Sequence, residues 1–199
     1  MNRRLSKTTA QTKDTPMAAI YEDLLAFTPL TEEETEDYTL MLDAAQSERS
    51  FGREWPTHFT ASAWVVNPER TKTLMVYHNI YKSWSWIGGH ADGEHDLALV
   101  AAKELAEETG LENAQLAHTG LLSCEVLTVD GHRKRGAYVP SHLHLNATYL
   151  FEADESAALR VAPDENSGVR WLTFDEALAA STEPWMVEHV YRKLIARSK

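Results

Sequence analysis

The sequence predicts a mixed α/β (α+β) fold, a sandwich of helices and sheet, and three observations lead there. Before residue 50 the apolar positions repeat at helical spacing. From His58 they alternate, or run as short apolar stretches bounded by turns. Beyond residue 90 helical and strand-like segments intermix, which favours strands that are mostly antiparallel in a layered architecture.

The elements follow in order. MNRRLSKTTAQTKDTP is basic and polar with no apolar run behind it, so residues 1–16 read as a flexible tail and not as a secretory signal. Thr15 and Pro16 offer an N-cap and an N1 proline for a helix carrying Ile20, Leu24 and Phe27. Thr31 and Glu34 have capping-box spacing before a second helix with Tyr38, Met41, Leu42 and Ala45. Residues 17–56 are therefore a short helical N-terminal extension, a candidate contact for a homodimer.

HFTASAWVV and TLMVYH are strands joined by the turn Asn67-Pro68-Glu69-Arg70. SWSWI is a third strand, placing Trp84 and Trp86 on one face. One of them belongs in the core, and Trp86, nearer the diglycine, is a candidate to stack on a substrate base. A helix spans the stretch that ends at Thr109–Gly110. LLSCEVLTV is a strand, GHRKRG a polar tip whose Arg133, Lys134 and Arg135 sit in solvent, and SHLHLNATYLFEA a clear alternating strand. The last puts His142, His144 and Asn146 on one face and Leu143, Leu145 and Ala147 on the other. DENSG turns into the strand VRWLTF, Thr173 and Glu176 cap a helix, and a final helix starts at Pro184.

Composition narrows the function classes. A net charge of −11 excludes a general nucleic-acid binder, which needs a Lys/Arg excess, and suits a protein that recruits cations. The single cysteine, Cys124, rules out an internal disulfide and fits a reducing compartment. No apolar run approaches the roughly 18–20 residues of a membrane span, so a cytoplasmic location is expected.

Chemistry concentrates in GGHADGEHDLALVAAKELAEETGL, residues 88–111. Glu104, Glu107 and Glu108 are neighbours on one helix surface, since residues three and four apart meet there. Two of them lie near the negative end of the helix dipole. Repulsion and dipole both oppose stability, by roughly 0.2–0.5 kcal/mol for each like-charged pair. Leu97, Ala101 and Leu105 form the core-facing stripe opposite. A hard divalent cation with oxygen ligands offsets the carboxylates, and a glycine lets a loop carbonyl approach it. A solvated acidic face is the bland alternative.

This stretch resembles the Nudix box, G-x5-E-x7-R-E-U-x-E-E-x-G-U, where U is bulky and apolar. Gly89, Glu104, Leu105, Glu107, Glu108, Gly110 and Leu111 fit it. His95 stands where the box has its first glutamate, and Lys103 where it has arginine. In the family those two form an ion pair between loop and helix, which His95 and Lys103 cannot make. Glu94 or Asp96 is the expected substitute partner for Lys103. The resemblance covers residues 57–198, with VRWLTFDEAL as a further supporting feature, and implies a Nudix-type α/β/α sandwich with a mixed sheet over 57–199.

The resemblance also implies hydrolysis of a nucleoside diphosphate linked to another moiety, with Mg2+ or Mn2+. Carried over by position, Glu104, Glu107 and Glu108 are metal ligands, Gly88 lends a carbonyl, and Glu104 is a candidate base. Glu165, shortly before the Trp171 strand, is a candidate further carboxylate. His90, His142 and His144 are candidate substrate contacts. With two histidines on one strand, and no cysteine or third histidine near them in sequence, zinc is not expected. Two rivals remain: a non-catalytic nucleotide-binding regulator, and a diphosphate isomerase that would use Cys124.

Overall fold

The computed structural model of the chain describes residues 19–134 and 136–199. The expected cap at Thr15–Pro16, the 1–16 tail and Arg135 lie outside the described residues. α1 (Ala19–Ala26) buries Ile20 and Leu24, and α2 (Glu32–Ala44) buries Met41. Thr31 caps α2, accepting from the Glu34 N–H at 3.2 Å. The reciprocal half of the capping box is displaced. Glu34 instead accepts from the Leu30 N–H at 2.9 Å and binds Arg197, because its carboxylate is drawn toward a guanidinium.

β1 (Thr57–Val66) and β2 (Lys72–His78) pair at Val66↔Thr73, beside the turn that Asn67 organises by accepting from the Thr71 and Lys72 N–H groups. Beyond that point the two strands diverge. The segment expected as one strand, SWSWI, fills the gap and so divides into two. β3 (Ser83–Ser85) pairs with β2, and β4 (Ile87–His90) crosses over to pair with β1. Trp86 is the crossing residue.

α3 (Leu97–Thr109) follows, then β5 (Gln115–Leu116), β6 (Ser123–Val129) and a small hairpin, β7 (His132–Lys134) with β8 (Ala137–Val139), where the polar tip was expected. β9 (His142–Glu152) runs parallel to β1, from Thr57↔Leu143 to Val66↔Glu152, and antiparallel to β5 and β6. β10 (Asn166–Thr173) completes the mixed sheet against β2. α4 (Phe174–Ala180) carries the predicted Thr173/Glu176 capping box. α5 (Pro184–Met186) continues through a π-helical turn (Val187–Tyr191) into α6 (Arg192–Ser198).

Alternation along β1 and β9 assigns the two faces. Phe59, Ala61, Val65, Leu145 and Tyr149 pack with Ile20, Met41 and the α3 stripe Leu97, Ala101 and Leu105. Trp64, Val66 and Leu150 pack with Ala177, Val190, Tyr191 and Leu194. Helices thus cover both faces, which makes an α/β/α sandwich.

The second face becomes polar toward β6, where Glu34 and Glu125 are buried with Lys193 and Arg197 above them. Asn146 and Thr148 donate to Glu125, and Thr60 and Ser62 donate to Asn146. Burial alone would raise the Glu34 carboxyl, but Arg197, the Leu30 N–H and Lys193 outweigh it and bring it down to about 2. Among the described residues no helix is long and apolar enough to cross a membrane.

Candidate active site

The site is built at the C-terminal end of α3 and the strand beside it. Asp96 caps the helix by accepting from the Leu99 N–H at 3.0 Å. Gly110 ends it with φ 80°, a left-handed turn that side chains resist. The core stripe turns Glu108 inward, leaving it 5% exposed. Its Oε1 accepts from the Gly88 N–H at 3.3 Å, across the gap to β4. Glu104 lies one turn earlier against Gly89, where a Cβ would overlap the Glu104 carboxyl. Only glycine allows that approach.

Glu107 points outward, at 3.8 Å from Lys103. That contact corrects the expectation that Lys103 pairs with Glu94 or Asp96. Glu94 is committed to the His95 and Asp96 N–H groups, and Asp96 to the helix cap. His95 is held elsewhere as well, 3.1 Å from Glu48 and packed at a tilt on Phe51 with ring centroids 4.1 Å apart. The loop is therefore tied to the N-terminal segment and not to the helix.

Electrostatics set Glu104 and Glu108 apart from surface acids. Burial raises Glu104, and the Glu107 charge adds to it. Burial pushes Glu108 up to about 8 against the pull of the Gly88 N–H, with Glu104 repulsion contributing. The charge of Glu165 reaches both. Its position is fixed by its neighbour: Asn166 is fully buried and donates to the Glu108 carbonyl at 3.0 Å. Arg53, which sequence reasoning missed, pairs with Asp92 through two hydrogen bonds and lies within electrostatic reach of Glu104 and Glu165. No local pattern marks Arg53; its place depends on how the 51–56 loop meets the loop after β4.

The candidate substrate residues separate. His90, His142 and His144 come together, joined by His58, also missed in the sequence. The parallel register sets His58 beside His144, and β1–β4 pairing sets His90 beside Thr60, two residues along the same face. Burial and the surrounding histidines lower His144 to about 2, and burial also lowers His58. Trp86 is not with them; it meets Tyr191 edge-on with centroids 5.9 Å apart. Trp84 is half-buried under the Arg170 guanidinium. Cys124 is fully buried and its thiol is pushed up by burial, which opposes a cysteine-based isomerase.

These shifts predict a pH profile for the metal-free protein. Unfolded, the Glu108 carboxyl ionises near its ordinary 4.5, while the folded chain keeps the proton until about 8. That contribution is complete below 4.5 and is lost as pH rises through 8. His144 acts oppositely, since below its ordinary 6.5 the unfolded chain takes up a proton that the folded chain refuses. Thermal melts in EDTA should thus show highest stability in mildly acidic buffer, declining from pH 6.5 to 8. Mn2+ should flatten that decline, and a Tm constant across it in EDTA would contradict the assignment of Glu108.

Over residues 56–196 the chain matches the family model described as NUDIX domain. It is 30% identical over 146 residues to the CMP-5'-(N-acetyl-N-hydroxy-3-aminopropyl)phosphonate hydrolase of Streptomyces rubellomurinus, a match covering 69% of this chain and 65% of that protein. The chain therefore spans less than two thirds of that relative's length. Among solved structures it resembles the E. coli dihydroneopterin triphosphate pyrophosphohydrolase, with TM-score 0.54, 12% identity and coverage of 69% of this chain and 94% of that one. It also resembles a binary complex of the C. elegans Ap4A hydrolase, with TM-score 0.51, 15% identity and coverage of 69% and 96%. At such identities the two structures show a shared fold. With the glutamate-bearing helix closed against Gly88 and Gly89, and the family model spanning both, the chain belongs to the Nudix family.

Proposed function

We propose that the protein is a cation-dependent hydrolase that cleaves a diphosphate bond in a nucleoside diphosphate linked to another moiety. The observation that carries this reading is the buried Glu108 carboxyl, raised to about 8 beside a second raised carboxyl, Glu104. One buried and one half-buried acid face a glycine strand, and once ionised they destabilise the fold unless a cation neutralises them. The donors are all oxygens, which suits Mg2+ or Mn2+ and not a soft metal. The approach permitted by Gly89 supplies the cradle.

In this reading Glu104, Glu108 and the Gly88 carbonyl hold the cation, and Glu107, which points outward toward Lys103, joins them only by turning inward. When bound, it sets positive charge against the diphosphate oxygens and activates water. Glu104, facing the same space as Glu108 from one turn earlier, is the candidate to take the proton from the attacking water. Glu165, whose charge reaches Glu104 and Glu108, is the candidate second acceptor or further ligand. Arg53, which Asp92 now pairs, is the candidate cation for the substrate's phosphates. The names of the relatives, hydrolases of Ap4A, of dihydroneopterin triphosphate and of a CMP-linked phosphonate, support a nucleotide-linked substrate.

The missing tie between positions 95 and 103 favours a second reading, a nucleotide-binding regulator without turnover. The test is a panel of nucleoside triphosphates, sugar nucleotides, dinucleotides and ADP-ribose with Mg2+ or Mn2+. Cleavage of at least one class, abolished by EDTA, is expected. Saturable nucleotide binding without any product would establish the regulator instead.

A further inference from the structure

Among the described residues, His58, His90, His142 and His144 form a cluster of metal-ligating side chains outside the carboxylate site. Each offers one ring nitrogen, and the four lie within 4.8 Å of one another. They arrive from three strands, β1, β4 and β9, at the end of the sheet where β4 leaves the diglycine. We infer that these four histidines form a second metal site, distinct from the carboxylate site, that binds one divalent ion of the zinc class and fastens the three strands together.

Hydrogen bonding on the outer side of the rings favours this. His58 Nδ1 donates to the Trp55 carbonyl at 2.5 Å, and His142 Nδ1 donates to the Pro140 carbonyl at 2.8 Å. A carbonyl only accepts, so both rings carry their proton on Nδ1 and present a bare Nε2 lone pair. Backbone carbonyls commonly fix metal-binding histidines in this way. His58 is 3% exposed, and its Nε2 has no hydrogen-bond partner. A buried acceptor left so is costly, and a metal bond would satisfy it. His142 Nε2 lies 3.1 Å from His144 Nε2. Tetrahedral zinc with nitrogens at 2.0–2.1 Å sets its ligands about 3.4 Å apart, so this pair already has ligand spacing. The other two nitrogens lie within 4.8 Å of this pair and of each other, so small shifts of the strands and of the His90 ring are what ligand spacing requires.

The donor set also separates the two sites by chemistry. Four neutral imidazoles suit borderline metals such as zinc, whereas the glutamates suit Mg2+ or Mn2+. Four protein ligands leave no open position, which marks a structural and not a catalytic ion. Such an ion would lock β4 to β1 and β9 and steady the diglycine that precedes His90. The inference stands whether or not the chain hydrolyses diphosphates.

The experiment uses the full chain without a histidine tag, stripped with chelator, then titrated with Co2+ and Zn2+. One equivalent of Co2+ should give the intense visible bands of a tetrahedral nitrogen site, displaced by one equivalent of Zn2+. Saturating Zn2+ should raise Tm by at least about 5 °C. His144→Gln and, separately, His142→Gln should each weaken binding at least ~10-fold. Glu108→Gln should leave the bands intact, which separates this site from the carboxylate one. Wild-type binding in a folded His142→Gln protein, loss of the bands in Glu108→Gln, or no tetrahedral spectrum at all would each overturn the inference.

Discussion

Glu108→Gln is expected to lower kcat by at least ~10²-fold with Mg2+ or Mn2+, while the protein stays folded. The magnitude is that of losing stabilisation of charge that develops in the transition state. Glutamine keeps the shape and can still accept from the Gly88 N–H, now made by Glu108 Oε1 at 3.3 Å. It removes only the negative charge, which is the part a cation uses. The same change relieves a buried acid that the folded chain prefers to keep protonated. In EDTA at pH 8 the variant should therefore melt at or above the wild-type temperature. Activity and stability moving in opposite directions would separate a functional carboxylate from a structural one. A wild-type rate in the variant would refute the assignment.

The second large effect lies far from that site. Arg197→Ala is expected to destabilise the fold by about 3 kcal/mol, the low end for breaking a buried ion pair. Arg197 holds both oxygens of Glu34 at 2.6 Å and donates to the Leu122 carbonyl at 2.9 Å. Without it Glu34 stays buried, with Lys193 at 3.3 Å and Ser123 at 3.1 Å. Lys193 also serves Glu125 at 3.0 Å, so its charge is shared. For a chain of this length the loss corresponds to a Tm lower by roughly 6–12 °C, readable by thermal denaturation. Adding Glu34→Gln should recover part of it, because a neutral amide leaves no unpaired charge. A variant with wild-type Tm would show that Arg197 does not hold α2 to α6. With the link intact, the N-terminal helices are welded to the C-terminal one through α2, and Ile20 and Leu24 share the main core.

The glutamate helix was legible because its information is local. Glu104, Glu107 and Glu108 are related by the helical period, and Gly110 ends the helix by a short-range hydrogen bond to the Ala106 carbonyl. Even so, the period could not tell which carboxylates turn inward. Glu108 is buried and Glu107 is not, because the helix packs by Leu97, Ala101 and Leu105 and thereby presses one edge against β4. The substitute partner for Lys103 was misread for a related reason. Glu94 and Asp96 had nearer uses at the backbone, and a side chain serving one N–H group is not free for an amine.

What the sequence by itself determined was the succession of helices and strands, the sandwich class, and the one helix on which the acidic residues sit. All of it rests on periodicity and caps, which act over a few residues. The tertiary structure decided the rest: the division of the SWSWI segment between two strands, the Glu34–Arg197 clamp, and the meeting of four histidines. His58 and His144 are neighbours only because β1 and β9 pair in parallel, in one register. A parallel pair joins segments remote in the chain, and nothing in the local order of residues carries that distance.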